Sequence, residues 1–186
     1  IDLQGRTYMQ PIDCPFRVSN WALDKVSTET NIIIVDMHAE ATAEKQSIAR
    51  YLDGKVTAVL GTHTHVPTAD EQILPNGTAF ISDVGMSGPY DGVIGMRTDV
   101  AIRRQLYQTP HKYEMATKDI RICGVVIEAS TVDGSALSIE RVTFPEFTRT
   151  REKPTANGKA SNTEASVASS EAGKIAESGQ VAEAAE

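Results

Sequence analysis

Three of the four histidines in the chain lie in two short segments, each of which follows an apolar run. His38 comes shortly after the apolar residues 32–35, while His63 and His65 come shortly after residues 56–60. Strand ends are where α/β folds build their sites, because the backbone there is rigid and the loops beyond are free to vary. Residues i and i+2 of an extended chain point to the same side, so His63 and His65 are expected to reach one place together. Because neutral imidazole binds zinc, iron, manganese and nickel well, the pattern predicts a metal site at a sheet edge.

Two acidic residues flank His38, and each has two interpretations. In one, Asp36 and Glu40 orient an imidazole by accepting a hydrogen bond from its second nitrogen. In the other, they are an ordinary strand-end aspartate and a carboxylate at the positive end of a helix dipole. The histidines also have an ordinary interpretation as surface or core residues, which the clustering of three of them with carboxylates weakens. The fourth, His111, follows Pro110 in a polar stretch and is expected to be exposed.

A strand, a helix and a second strand are predicted to position these histidines. Residues 32–37 are apolar and β-branched without alternation, which is typical of a central strand covered on both faces. Thr42 is expected to cap a helix over residues 42–52, and residues 56–60 form the next strand. A strand–helix–strand unit of about 30 residues is typical of parallel strands. The two histidine segments are therefore expected at the same edge of one sheet.

The following residues are predicted to be rich in turns and antiparallel strands. Asn76-Gly77 lies between two apolar runs, which is a strong β-hairpin signal. A glycine-rich loop over 82–95 includes Gly85 and has two interpretations. The backbone amides of the loop are candidates to face a phosphate, or the glycines of the loop merely permit tight turns. A helix is expected over 98–108. Two or three antiparallel strands are expected to complete an α/β domain, at roughly 112–116, 121–130 and 136–144.

Composition limits the classes of function. The chain has 186 residues, enough for one domain with a hydrophobic core. A net charge of −7 argues against general nucleic-acid binding, which requires a basic patch to neutralise phosphates. No apolar run approaches the length of a membrane span, and no signal peptide is visible. Cys14 and Cys123 lack the C-x-x-C spacing of zinc or redox motifs, so a cytoplasmic protein with reduced cysteines is expected.

The domain is expected to end near residue 147. From Thr148 onward Ala, Ser, Glu and Lys dominate, and such a segment buries too little apolar area to offset the entropy cost of ordering. Residues 148–186 are therefore predicted to form a disordered polar tail. The chain begins at Ile1 rather than at a methionine, and we expect it to be a fragment.

Six blocks of the sequence match one known family in order and spacing. They lie at residues 3–6, 11–16, 36–45, 51–54, 61–66 and 81–91. Over about residues 1–145 the chain resembles the YmdB-type metallophosphoesterases, which are relatives of the calcineurin-like phosphoesterases. The resemblance implies an α/β fold in which two packed sheets form a sandwich flanked by helices. Residues 1–147 would be the C-terminal portion of that domain, lacking its N-terminal portion.

The resemblance also implies a reaction and a site. Members of the family hydrolyse phosphodiesters, notably 2′,3′-cyclic nucleotides, through a water activated by a dinuclear metal centre. By this match His38 and His63 would ligate one metal ion and His65 the other, the two divalent ions being Fe, Mn or Zn. The candidates for supporting these ligands or bordering the substrate are Asp36, Glu40, Thr62, Thr64 and Gly85.

Other ligands of the family are missing from this sequence, which has no Gly-Asp, no Glu-Asn and no Asn-His pair. Three neutral imidazoles bring no charge to balance two divalent ions. The chain is therefore expected to carry half a site and to be a weak or inactive phosphodiesterase on its own. Two alternatives stay open: a non-catalytic interaction or scaffold domain, and a mononuclear metal-binding protein. The expected partner is a small cyclic nucleotide or related phosphodiester substrate. We expect neither membrane binding nor general nucleic-acid binding, and formation of a homo-oligomer stays possible.

Overall fold

The structure, a computed structural model, describes residues 1–147. The predicted polar tail over 148–186 lies outside the described residues. Three helices and eight strands make up the described part of the chain. Among these residues, no helix is both long enough and apolar enough to cross a membrane. Both cysteines are free thiols.

The first sheet has five strands and carries the histidine segments. Its strands are β1 (Asp2–Gln4), β2 (Ile34–His38), β3 (Ala58–Thr62), β4 (Gln72–Ile73) and β5 (Ala79–Ile81). Their order is β1-β2-β3-β5-β4, with β1, β2, β3 and β5 parallel and β4 antiparallel to β5. The predicted parallel strand–helix–strand unit and the β4–β5 hairpin are thus confirmed, although β2 and β3 end one to two residues later than predicted.

Two helices accompany this sheet, α1 (Pro15–Val26) and α2 (Thr42–Leu52). Helix α2 buries Ile48, Ala49 and Leu52, which recur at helical spacing and join the apolar core with residues from β2 and β3. The predicted Thr42 cap is wrong. The N-cap is Ala41, whose backbone carbonyl accepts the first helical N–H bonds, and no side chain caps the helix.

The second sheet has three strands, β6 (Gly88–Pro89), β7 (Ile120–Ala129) and β8 (Ala136–Phe144), all antiparallel to their neighbours. Helix α3 (Thr98–Tyr107) precedes β7. The predicted β7–β8 pair is confirmed. The predicted strand over 112–116 is wrong: only Met115 forms an isolated bridge, to Met96, because most side chains of that segment are exposed and give a strand no face to bury.

The two sheets contact each other through β8, which lies against β4 and β5. Small side chains of both sheets, Ala58, Ala79 and Ala136, are buried there, with Ile127 and Ile139 packed around them. The fold is therefore a mixed α/β arrangement of two sheets and helices, as predicted. That these two sheets form a sandwich flanked by helices stays a prediction.

Candidate metal centre

The carboxyl ends of β2 and β3 bring two of the predicted ligands together. His38 is the last residue of β2 and pairs with Thr62, the last residue of β3, so His63 follows directly beside it. His38 Nε2 lies 3.0 Å from His63 Nδ1, and the two rings meet edge to face at 87°. The parallel strand arrangement explains this convergence, because parallel strands present their carboxyl ends at one edge.

The second nitrogen of His38 is held by a two-step hydrogen-bond chain. The Thr62 hydroxyl donates its proton to Asp36 Oδ1 over 2.8 Å. Its oxygen must therefore accept from His38 Nδ1, which lies 3.1 Å away. This fixes the proton of a neutral His38 on Nδ1 and leaves Nε2 with a free lone pair that faces His63.

The second nitrogen of His63 faces a carboxylate. His63 Nε2 lies 3.1 Å from Glu40 Oε2, so Nε2 carries a proton and the Nδ1 of a neutral ring is bare. Two bare imidazole nitrogens would then face each other across 3.0 Å. Such lone pairs repel unless a proton or a cation lies between them. The donor set of His38 and His63 therefore fits a divalent metal ion, with the outer nitrogens bonded to Thr62 and Glu40 and Thr62 bonded to Asp36. The metal-supporting roles of these three residues stay predictions.

His65 does not follow the extended alternation that the sequence suggested. Strand β3 ends at Thr62, and His63 and His65 have φ angles of 103° and 68°, so the argument from a continuing strand is wrong. Positive φ is unusual for residues other than glycine and persists where the surroundings enforce it. His65 Nδ1 lies 3.0 Å from the carbonyl of Ile94, to which it donates, which leaves Nε2 free to bind.

Within residues 1–147, no three histidine, cysteine or acidic side chains form a cluster that could hold a metal ion. The predicted ligand role of His65 beside the other two therefore stays a prediction. The fourth histidine, His111, is half-buried rather than exposed, with its Nε2 3.1 Å from the Thr109 hydroxyl.

A buried ion pair that sequence reasoning missed holds the histidine loop in place. Asp83 follows β5, and its Oδ2 accepts bonds from the Thr64 backbone N–H and hydroxyl at 2.9 and 2.8 Å. The same oxygen lies 2.9 Å from Lys45 Nζ, and both charged side chains are almost fully buried. Thr64 lies between His63 and His65, both of which have positive φ. By binding Thr64, Asp83 stabilises the turn that contains the two histidines.

The electrostatics of this ion pair favour a charged Asp83. Burial alone would raise the pKa of the Asp83 carboxyl, but the Lys45 ammonium and the hydrogen bonds from Gly85 and Thr64 outweigh it and lower that pKa. One sequence signal could have found Lys45. It lies three residues before Ile48 and seven before Leu52, on the inward stripe of α2, where an unpaired lysine would be very unfavourable.

Two glycines shape the surroundings of the histidines. A Cβ at Gly61 would overlap the carbonyl oxygen of Ser82, so only glycine lets β3 approach the residues after β5 this closely. Gly85 has a φ of 82°, and its N–H donates to Asp83 Oδ1 over 2.9 Å. That amide is already bonded within the protein, so Gly85 serves the turn and does not offer its N–H to a phosphate.

The fold and the edge site together define a mixed α/β protein with a histidine centre where its parallel strands end. Residues 1–142 match the family described as YmdB-like protein, and the chain belongs to this family. A 2′,3′-cyclic-nucleotide 2′-phosphodiesterase of Bacillus subtilis (strain 168) is 45% identical over 142 residues, which cover 76% of this chain and 54% of that protein. The chain thus spans about half the length of this relative.

Solved structures show the same similarity. A crystal structure of a Thermus thermophilus protein, described as hypothetical, superimposes with a TM-score of 0.72 at 37% identity, covering 77% of this chain and 56% of that one. A crystal structure described as a novel phosphatase from Mycoplasma pneumoniae gives 0.70 at 34% identity, covering 76% and 51%.

Proposed function

We propose that the protein is a metal-dependent phosphodiesterase that hydrolyses 2′,3′-cyclic nucleotides or related phosphodiesters. One observation carries the proposal: His38 Nε2 and His63 Nδ1 face each other at 3.0 Å, while their outer nitrogens are bonded to Thr62 and Glu40. The name of the Bacillus subtilis relative supports the substrate class. We propose the cytoplasm as the compartment, since both cysteines are free.

In this proposal His38 and His63 hold one divalent ion and His65 holds the other, the ions being Fe, Mn or Zn. Such ions, when bound, neutralise phosphate charge and lower the pKa of a coordinated water so that it becomes a nucleophile at neutral pH. The contribution of this chain is to fix the ligands. Asp36 and Thr62 orient His38, Glu40 orients His63, and the Ile94 carbonyl orients His65.

Charge balance requires further ligands. Three neutral imidazoles bring no negative charge to two divalent ions. Asp36 is bonded to Thr62, and Glu40 faces the outer nitrogen of His63, so both carboxylates already serve the imidazoles. We therefore place the balancing carboxylates outside residues 1–147, and we expect the 186-residue chain alone to be at most weakly active.

The test is hydrolysis of 2′,3′-cyclic AMP by the complete natural protein, stripped with a chelator and reloaded with Mn²⁺. His63→Ala and His65→Ala should each lower kcat/KM by more than about 100-fold, since losing a direct ligand exceeds the 10–100-fold effect of losing a residue that only supports one. His111→Ala is the matched control and should keep normal activity. Hydrolysis that survives complete removal of metal would refute the proposal.

One observation favours a second candidate, a protein that binds a single ion. Of the three candidate histidines, only His38 and His63 are in direct contact with each other. His65 instead donates a hydrogen bond to the carbonyl of Ile94, in a separate loop. The number of ions per chain separates the candidates. Two ions in the active protein support the dinuclear site, whereas one ion whose binding does not depend on His65 supports the mononuclear one.

A further inference from the structure

A cavity of about 390 Å³ adjoins His65. Its other walls are mostly apolar and include Val66, Met86, Ile94 and Phe147. This volume lies within the range of small-molecule sites, about 300–1,000 Å³, in which apolar walls with few polar groups are usual. His65, which we propose as a metal ligand, therefore also lines a mostly apolar cavity.

The aromatic side of the cavity is held in a fixed arrangement. The Tyr90 hydroxyl donates to the Met86 carbonyl over 3.0 Å and lies 3.1 Å from Cys123 Sγ. Burial and the neighbouring Cys123 raise the pKa of Tyr90 to about 12, so the ring is uncharged at neutral pH. Phe147 packs edge to face against Tyr90, with ring centroids 5.0 Å apart. A ligand therefore meets rings that are already oriented.

These walls offer mainly apolar and aromatic surface, on which a flat ring can pack. The Tyr90 hydroxyl is occupied, and His65 Nδ1 is bonded to the Ile94 carbonyl. We infer that the cavity beside His65 binds the base of a cyclic nucleotide while its phosphate lies at the histidines. This inference rests on the proposed phosphodiesterase function and adds to it the position of the base.

The mainly apolar lining, as far as residues 1–147 form it, predicts that the identity of the base has little effect on the rate. Stacking on aromatic and apolar walls tolerates any base because every base has a π-face. The values of kcat/KM for 2′,3′-cyclic AMP and 2′,3′-cyclic GMP should therefore differ by less than about threefold. A preference above about 100-fold between these two purines would require bonded base edges and would overturn the inference.

A substitution in the cavity wall tests the inference through activity in the complete protein. Val66 is more than half exposed, so Val66→Ala should not disturb folding. It should lower the ratio of kcat/KM for 2′,3′-cyclic AMP to that for ethylene cyclic phosphate, which has no base, by about three- to tenfold. Val132→Ala, in the exposed turn between β7 and β8, is the matched control and should leave the ratio unchanged. An unchanged ratio in Val66→Ala would contradict the inference.

A binding experiment without catalysis separates this inference from the proposed function. Saturation-transfer NMR with adenosine, on the complete protein in excess chelator, should show transfer to the base protons and a Kd on the order of 0.1–1 mM. Val66→Trp should fill the cavity and abolish the transfer, while Val132→Trp should retain it. Absence of adenosine binding to the unmodified protein, or its persistence in Val66→Trp, overturns the inference. Adenosine binding in a protein that hydrolyses no phosphodiester would reject the proposed function and leave the base site standing.

Discussion

Replacing Lys45 by methionine should destabilise the protein more than any exposed lysine substitution. Lys45 Nζ lies 2.9 Å from Asp83 Oδ2, and both side chains are almost inaccessible to solvent. Removing one partner of a buried ion pair typically costs about 3–5 kcal/mol because the other charge stays buried. Asp83 keeps its hydrogen bonds from Thr64 and Gly85, so we expect the lower end, about 3 kcal/mol. That corresponds to an increase of roughly 100-fold in the unfolded fraction.

The assay is urea-induced unfolding followed by far-ultraviolet circular dichroism. Lys118→Met, at an exposed position, is the control and should change the free energy of unfolding by less than about 0.5 kcal/mol. A double-mutant cycle with Asp83→Asn isolates the pair, and the double variant should lose about 1–3 kcal/mol less than the sum of the single variants. The reasoning is refuted if Lys45→Met matches Lys118→Met, or if the effects of the two substitutions add.

Three further predictions concern the centre and its support. Thr62→Val removes the link between Asp36 and His38, so Mn²⁺ affinity measured by calorimetry should fall about 10-fold or more, and an unchanged affinity would contradict this. The folded-state pKa of Asp83 is lowered, so its stabilisation should be complete above its unfolded pKa of about 3.9 and be lost as the pH falls below that value. Urea midpoints between pH 6 and pH 2.5 should therefore decline less steeply in Asp83→Asn than in the unmodified protein. Gly61→Ala should prevent normal folding because its Cβ overlaps a backbone carbonyl, whereas Gly124→Ala, with open space at its Cβ, should fold with a nearly normal Tm.

The parallel strands were predictable because local patterns and packing agree. The apolar runs before the histidines, the helical spacing of Ile48 and Leu52, and the connection length all favour one topology. The segment over 112–116 resembled a strand by its residue types, but a strand requires a partner and a buried face, and only Met115 forms a bridge. Strand pairing is a property of the folded surroundings that a short segment does not encode.

The residues of the site were predictable from the sequence, but the backbone conformation of the histidine loop was not. The sequence placed His38 and His63 at one edge because parallel strands share their carboxyl ends. The positive φ of His63 and His65 was not predictable, because the loop between β3 and the next segment is held by Asp83, which is distant in sequence and accepts hydrogen bonds from Thr64. Contacts of that kind arise from tertiary packing and cannot be predicted from a local sequence pattern.

The most direct test of the central claim is the metal content of the complete natural protein and its His38→Ala variant. These two proteins and the control variant His111→Ala are stripped with a chelator, dialysed against Mn²⁺ and measured by inductively coupled plasma mass spectrometry. Because His38 Nε2 faces His63 Nδ1 at 3.0 Å, His38→Ala should lose at least one ion per chain, while His111→Ala should retain the full number. Equal metal content in all three proteins would contradict a metal centre at the ends of β2 and β3.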